Sequence, residues 1–183
     1  MKNKDEKQPP GCFFYGSHKQ SGFSLLTIML MAVALASGLA YFVVNAGLNV
    51  QGQMNNIRTN QLVAQAQFIA QRIAKCATDY PDGNNGTGFH IPYPAGSTTV
   101  NVPTLTCPKT TQNLWSGVDG VYLLQPPEGF GAWSYINDGT GVKISITAND
   151  PTAYATPISS AATRIGTQAS STSDTLSMFI LQP

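Results

Sequence analysis

Residues 19–58 read KQSGFSLLTIMLMAVALASGLAYFVVNAGLNVQGQMNNIR, and between Lys19 and Arg58 no charged side chain occurs. The first part of that gap, Phe23–Val44, holds only Ser24, Thr27 and Ser37 as polar members, with Gly38 and Tyr41 as further interruptions. As a helix rising about 1.5 Å per residue it reaches about 33 Å, the thickness of a bilayer's hydrocarbon core. A buried helix of a soluble protein is the other reading, but such helices are commonly shorter and flanked by caps. A membrane span over 23–44 is therefore expected. Lys2, Lys4, Lys7 and Lys19 precede it and no lysine follows before Lys75, which points the N-terminus to the cytoplasm and the rest outside.

The same gap explains an odd composition. Of 183 residues only 10% are charged, against about 25% in a typical soluble domain, while 42% are hydrophobic. Low charge without low hydrophobicity argues against disorder. A net charge of +1 implies no charge-driven partner, and no nucleic acid is expected. What charge there is lies unevenly. Residues 1–22 carry four lysines and two acids, whereas from Asp79 onward Lys109, Lys143 and Arg164 face seven acids.

Downstream of Asn45 the sequence turns polar but stays compatible with a helix. Leu62, Ala66, Ile69, Ile73 and Cys76 or Ala77 recur at spacings of about three and four, an amphipathic stripe, opposite a face of Gln, Asn, Arg and Lys. Gly38, Gly47 and Gly52 each weaken a helix by about 1 kcal/mol relative to alanine and mark bends between the apolar and amphipathic halves. Tyr80-Pro81-Asp82-Gly83 predicts a stop near Thr78. The stripe packs either on the chain's own C-terminal part or on the same helix in neighbouring copies, and the two are compatible.

Residues 79–183 are rich in Gly, Pro, Ser, Thr and Asn. Short β-like runs recur between turn signals at Thr98–Thr106, Gly120–Gln125, Ala132–Asn137, Val142–Ala148 and Leu176–Leu181. Asp138-Gly139-Thr140-Gly141 is a hairpin signal between two of them. Pro157–Ile165 reads as a short helix, with 149–175 otherwise irregular. The expected fold class is α+β: a long N-terminal helix over 23–78, packed on a small antiparallel sheet of about four strands that forms a head over 79–183.

The junction Lys19-Gln20-Ser21-Gly22-Phe23-Ser24-Leu25-Leu26-Thr27 resembles the processing site of type IV prepilins and the related type II secretion pseudopilins. The resemblance covers about 55 residues from Gln20. It implies that residues 1–22 are a leader removed after Gly22 by a prepilin peptidase, and that Phe23 becomes an N-methylated first residue. It further implies a subunit held in the bacterial inner membrane with its head periplasmic, passed by an inner-membrane assembly platform into a pilus or pseudopilus. There it would contact other pilin or pseudopilin subunits through the N-terminal helix, having first been in contact with membrane lipid. One position departs from the family's pattern. The fifth mature residue is usually glutamate, whose carboxylate neutralises a neighbour's terminal amine, and here it is Thr27. A hydroxyl cannot neutralise that amine, which implies a minor rather than a major subunit; plain drift in a well-packed helix is the competing reading. With the leader gone, Cys12 goes too and the even pair Cys76 and Cys107 remains. In an oxidising compartment the pair reads as a disulfide tying head to helix, with two free thiols as the alternative.

Candidate chemistry is sparse, and the chain is not expected to be an enzyme. His18 lies in the leader and His90 in a Phe-His-Ile-Pro loop. No nucleophile elbow, HExxH, phosphate loop or dinucleotide motif is present. The Asp82–Gly88 loop and the Asn137-Asp138-Gly139 turn offer oxygens to a cation, but ordinary turn chemistry explains both, so no metal or cofactor is expected. Trp115, Trp133, Tyr93 and Tyr135 read as core aromatics. A signal-anchored periplasmic binding protein that never polymerises is the rival reading; a soluble secreted chain cut after Ala36 or Ala46 ranks third.

Overall fold

A computed structural model describes residues 23–182, with side chains described at 28–44 and 50–182. Its elements are α1 (Phe23–Asp79), β1 (Val100–Asn101), a 3-10 turn at Val102–Thr104, β2 (Ser134–Asp138), β3 (Gly141–Thr147), α2 (Pro151–Ile165), β4 (Ala169–Ser171) and β5 (Thr175–Leu181). The chain divides into two units, Met1–Gly47 and Leu48–Pro183, and α1 contributes residues to both.

The second unit is α+β. Its strands form one antiparallel sheet in the order β1-β2-β3-β5-β4. The Asp138–Gly141 signal closes the β2–β3 hairpin, with Asp138 opposite Gly141 and Gly139-Thr140 as the loop. Asp138 Oδ1 accepts from Thr140 N at 2.8 Å and from Thr140 Oγ1 at 2.5 Å, so the turn consumes its own carboxylate. Tyr135, Ile144 and Met178 stand opposite one another across three strands, all on the buried face. That face shares one core with Leu62, Ala66, Ile69, Ile73 and Cys76 of α1, and with Ile158 and Ala161 of α2. The stripe thus packs on the chain's own head, and its residues are not available to a neighbouring helix.

Several expectations are corrected. There are five strands rather than four. Thr98–Thr106 yields only the two residues of β1 and an isolated bridge at Thr106, because Pro103, the second residue of the 3-10 turn, has no N–H for a ladder. Gly120–Gln125 is in no sheet. Residues 149–175 are ordered as α2, β4 and the start of β5. The helix begins not at Pro157 but at Pro151, where Asp150 Oδ1 caps it, accepting from Thr152 N at 2.9 Å and Ala153 N at 3.2 Å. Pro157 lies inside α2 and is buried. α1 ends at Asp79, one residue later than predicted.

Candidate assembly surface

The residues of the expected processing junction lie at the edge of what the structure describes. Gly22 and the rest of the expected leader, including Cys12 and His18, are outside the described residues; Phe23 and Thr27 are in α1, but their side chains are not described. From Ile28 to Val44 the side chains are described, and every one is exposed. Ile28 is 66% and Phe42 76% exposed, and Val33, Leu35, Leu39 and Val43 are similar, so the apolar surface runs around the whole helix. Ser37 turns its hydroxyl inward, donating to Ala34 O at 3.0 Å. A helix apolar on all sides calls for lipid or other protein around it. Among the described residues no helix is long and apolar enough to cross a membrane; the expected span begins at Phe23, ahead of the first described side chain.

In the second unit, besides the apolar stripe, a sulfur pair and four side chains bind the helix to the head. The sulfurs of Cys76 and Cys107 stand at bonding distance, with Cα atoms 5.4 Å apart. Gln65, almost fully buried, joins three parts of the fold: its Oε1 accepts from Trp133 Nε1 at 2.9 Å and its Nε2 donates to Gln125 O at 2.7 Å. The Arg72 guanidinium donates to Leu114 O through Nε at 3.3 Å and Nη2 at 3.2 Å, and pairs with Asp119. The Arg58 guanidinium lies over the Tyr154 ring, 5.0 Å from its centre. Arg164 of α2 reaches back to Asn60 and Asn56 of α1. Two arginines of the polar face of α1, Arg58 and Arg72, thus hold the head. Lys75 does face water, paired with Asp79 one turn on.

The loop after α1 is held by amides. Asn85 Nδ2 donates to Phe89 O at 2.9 Å, His90 O at 3.3 Å and Tyr93 O at 3.0 Å, while its Oδ1 accepts from Thr87 N and Oγ1. Fully buried Asn137 reaches the same loop from β2, donating to Pro94 O at 3.0 Å. His90 sits in this clamp with a φ of 25° and lines no cluster of reactive groups. Trp115, Trp133 and Tyr135 are buried and Tyr93 is packed against the core, as read from the sequence. Burial pushes the Tyr135 phenol well above its ordinary pKa, and its hydroxyl donates to Pro94 O at 2.9 Å. Asp119 and Asp82 are held below the usual carboxylate range, first by hydrogen bonds from Arg72 and Lys109 respectively. Asp138 and Asp174 are lowered by the hydroxyls of Thr140 and Thr172. Among the described residues no group of three or more His, Cys, Asp or Glu converges as metal ligands would.

A feature that the sequence reading missed is apolar exposure on the head. Val118 is 77%, Tyr122 66% and Leu124 57% exposed. On α1, Val50, Met54 and Ile57 are exposed at spacings of four and three, continuing into a groove bordered by Pro126 and Pro127. Tyr122 and Leu124 fall in Gly120–Gln125, which the sequence marked only as a short β-like run. No family model, curated protein or solved structure matches the chain.

Proposed function

We propose that this chain is a structural subunit, a minor pilin or pseudopilin, anchored in the bacterial inner membrane before entering a type IV pilus-like or type II secretion filament. The observation that carries the reading is the junction Lys19–Phe23 running directly into an uncharged segment whose described side chains are exposed on all sides. On this reading the long helix from Phe23 works twice. Its first half, 23–44, sits in lipid and then among like helices, where close packing replaces the lipid contacts. Its second half carries the periplasmic head, whose core it completes. Open filaments follow when such contacts are head-to-tail and do not close.

Each part of the reading has a chemical basis. Glycine at position 22 gives a peptidase unobstructed access to the backbone, and Phe23 begins the helix at the membrane face. The mature amine at Phe23 needs compensation in a low-dielectric core, because an unpaired buried charge costs several kcal/mol. Thr27 cannot supply it, which supports a subunit present in few copies, where a neighbour's carboxylate does the work. The test is intact mass and N-terminal sequencing of the chain recovered from a cell with a prepilin peptidase. N-methylated Phe23 supports the reading. A chain starting at Met1 shows a simple anchor, and one starting near Gly47 a secreted protein; either result removes it.

A further inference from the structure

Val121–Leu124 alternates in burial as a strand does but pairs with no strand of the sheet. Burial alternates along it: Val121 and Leu123 pack against the core, while Tyr122 and Leu124 face solvent. In an extended segment the main-chain groups of successive residues point to opposite edges. The odd-numbered edge is used only at its ends, since the N–H and C=O of Leu123 have no partner among the described residues. Val121 O accepts from Gly117 N at 3.2 Å, and Gln125 O accepts from Gln65 Nε2. The even-numbered edge is not. Among the described residues the N–H and C=O groups of Tyr122 and Leu124 have no hydrogen-bond partner. The segment's ends are fixed as well. Its N-terminal turn depends on Gly117, whose φ is 76° and whose α-carbon lies under the Tyr122 ring, and its C-terminal end runs into Pro126-Pro127. Such a preset row of two donors and two acceptors, flanked by exposed apolar side chains, is a template for strand addition.

We propose that the occupant of this edge is the same segment of a second copy, paired antiparallel about Leu123. In that register Tyr122 and Leu124 of opposite copies form hydrogen-bonded pairs, so all four free main-chain groups of each copy are satisfied. The exposed tyrosine meets an exposed leucine, a favourable aromatic–aliphatic cross-strand pair. Charge permits it: Gly120–Pro127 is uncharged, and Asp119 at its edge is already neutralised by Arg72. The contact is isologous and closes on two copies, so it stands independently of whether the chain enters a filament. Because the shared strand is short, the pairing is weak and depends on copies being concentrated, as membrane-anchored chains are.

The test uses the full chain in detergent micelles, in a Cys12→Ser background, with Tyr122→Cys and Leu124→Cys variants mixed and oxidised. Opposite positions place Cα atoms about 5.5 Å apart, within disulfide reach, whereas identical positions are diagonal at about 7–8 Å, beyond it. The mixed pair is expected to cross-link at least about fivefold faster than either variant with itself. Equal rates in the three mixtures, or no cross-linking in any, overturn the proposal. The unsubstituted chain gives a second measurement that does not depend on the variants folding. The amide protons of Tyr122 and Leu124 are expected to exchange more slowly as concentration rises while that of Leu123 does not; exchange insensitive to concentration overturns it equally.

Discussion

Gln65→Leu removes the one side chain that joins α1, the sheet and the Gln125 segment, and its cost can be worked from the contacts. Gln65 is 7% exposed, Trp133 is 1% exposed, and the Trp133 N–H donates only to Gln65 Oε1. Leucine has a similar volume, so the change opens little cavity, but the indole N–H is left buried without an acceptor, a cost of about 1–3 kcal/mol. The Gln125 carbonyl belongs to an exposed residue and turns to water, losing about 0.5–1 kcal/mol. Burying apolar leucine instead of an amide returns about 1 kcal/mol. The net destabilisation is about 2 kcal/mol, which for a unit of this size lowers Tm by about 6–10 °C. Urea unfolding of the full chain in detergent, followed by tryptophan fluorescence, measures it. The cycle with Trp133→Phe isolates the bond: the double variant should be about 1–2 kcal/mol less damaged than the sum of the singles, since the orphaned donor is gone. Additivity within about 0.5 kcal/mol, or a neutral Gln65→Leu, would show that the two side chains are not coupled.

Three further outcomes are expected. Reducing the Cys76–Cys107 pair, separated by 31 residues in sequence, should destabilise the head by about 3.7 kcal/mol on the chain-entropy model, read as a shift in urea midpoint with and without reductant, with non-reducing peptide mapping to establish the bond. Asn85→Ala should cost about 1–3 kcal/mol and speed proteolysis between Gly86 and Tyr93, because three carbonyls lose their common donor; an unchanged cleavage pattern would count against the clamp. The depressed pKa values of Asp82, Asp119, Asp138 and Asp174 mean that folding holds these groups ionised. Their contribution is present above the ordinary carboxylate range and is lost as pH falls through the lower folded values, so an acid titration of stability should stay flat down to that range and fall below it.

How far the sequence reached depended on whether a signal was local. The β2–β3 hairpin was legible because Asp138-Gly139-Thr140-Gly141 determines its own turn, and the burial of Leu62, Ala66, Ile69 and Ile73 because periodicity survives any partner. Asp150-Pro151 was an equally local helix start, but Pro157 inside the same helix was read as the beginning, and the residues before it were left irregular. β4 is three residues with an exposed, hydroxyl-rich pattern, and only its pairing with β5 makes it a strand. Gly120–Gln125 failed in the opposite direction: burial alternates from Val121 to Leu124, but no strand of this unit pairs with it. The ties of Gln65, Arg58 and Arg72 were illegible in principle, since their partners lie tens of residues away and one side of each contact is a carbonyl or a ring. The processing junction is the reverse case: its residues are explicit in the sequence, while Gly22 lies outside the described residues and the Phe23 side chain is not described.

The scarcity of charge has a consequence for how the head meets other proteins. Of the six cations in the second unit, Arg58, Arg72 and Arg164 hold helix and head together, Lys75 and Lys109 are paired with Asp79 and Asp82, and Lys143 forms no ion pair among the described residues. Much of the polar work of the surface is done by Asn, Ser and Thr, which close turns on their own backbone, as Asn84, Asn85 and Thr172 do. Long-range steering needs a patch of one sign, and single ion pairs spread over loops do not supply it. Recognition through this head must therefore rest on shape, apolar contact and main-chain hydrogen bonds, which act only at close range. On the reading proposed above, in which each chain is tethered to the same membrane, such a head gains specificity because its partners are already held near it.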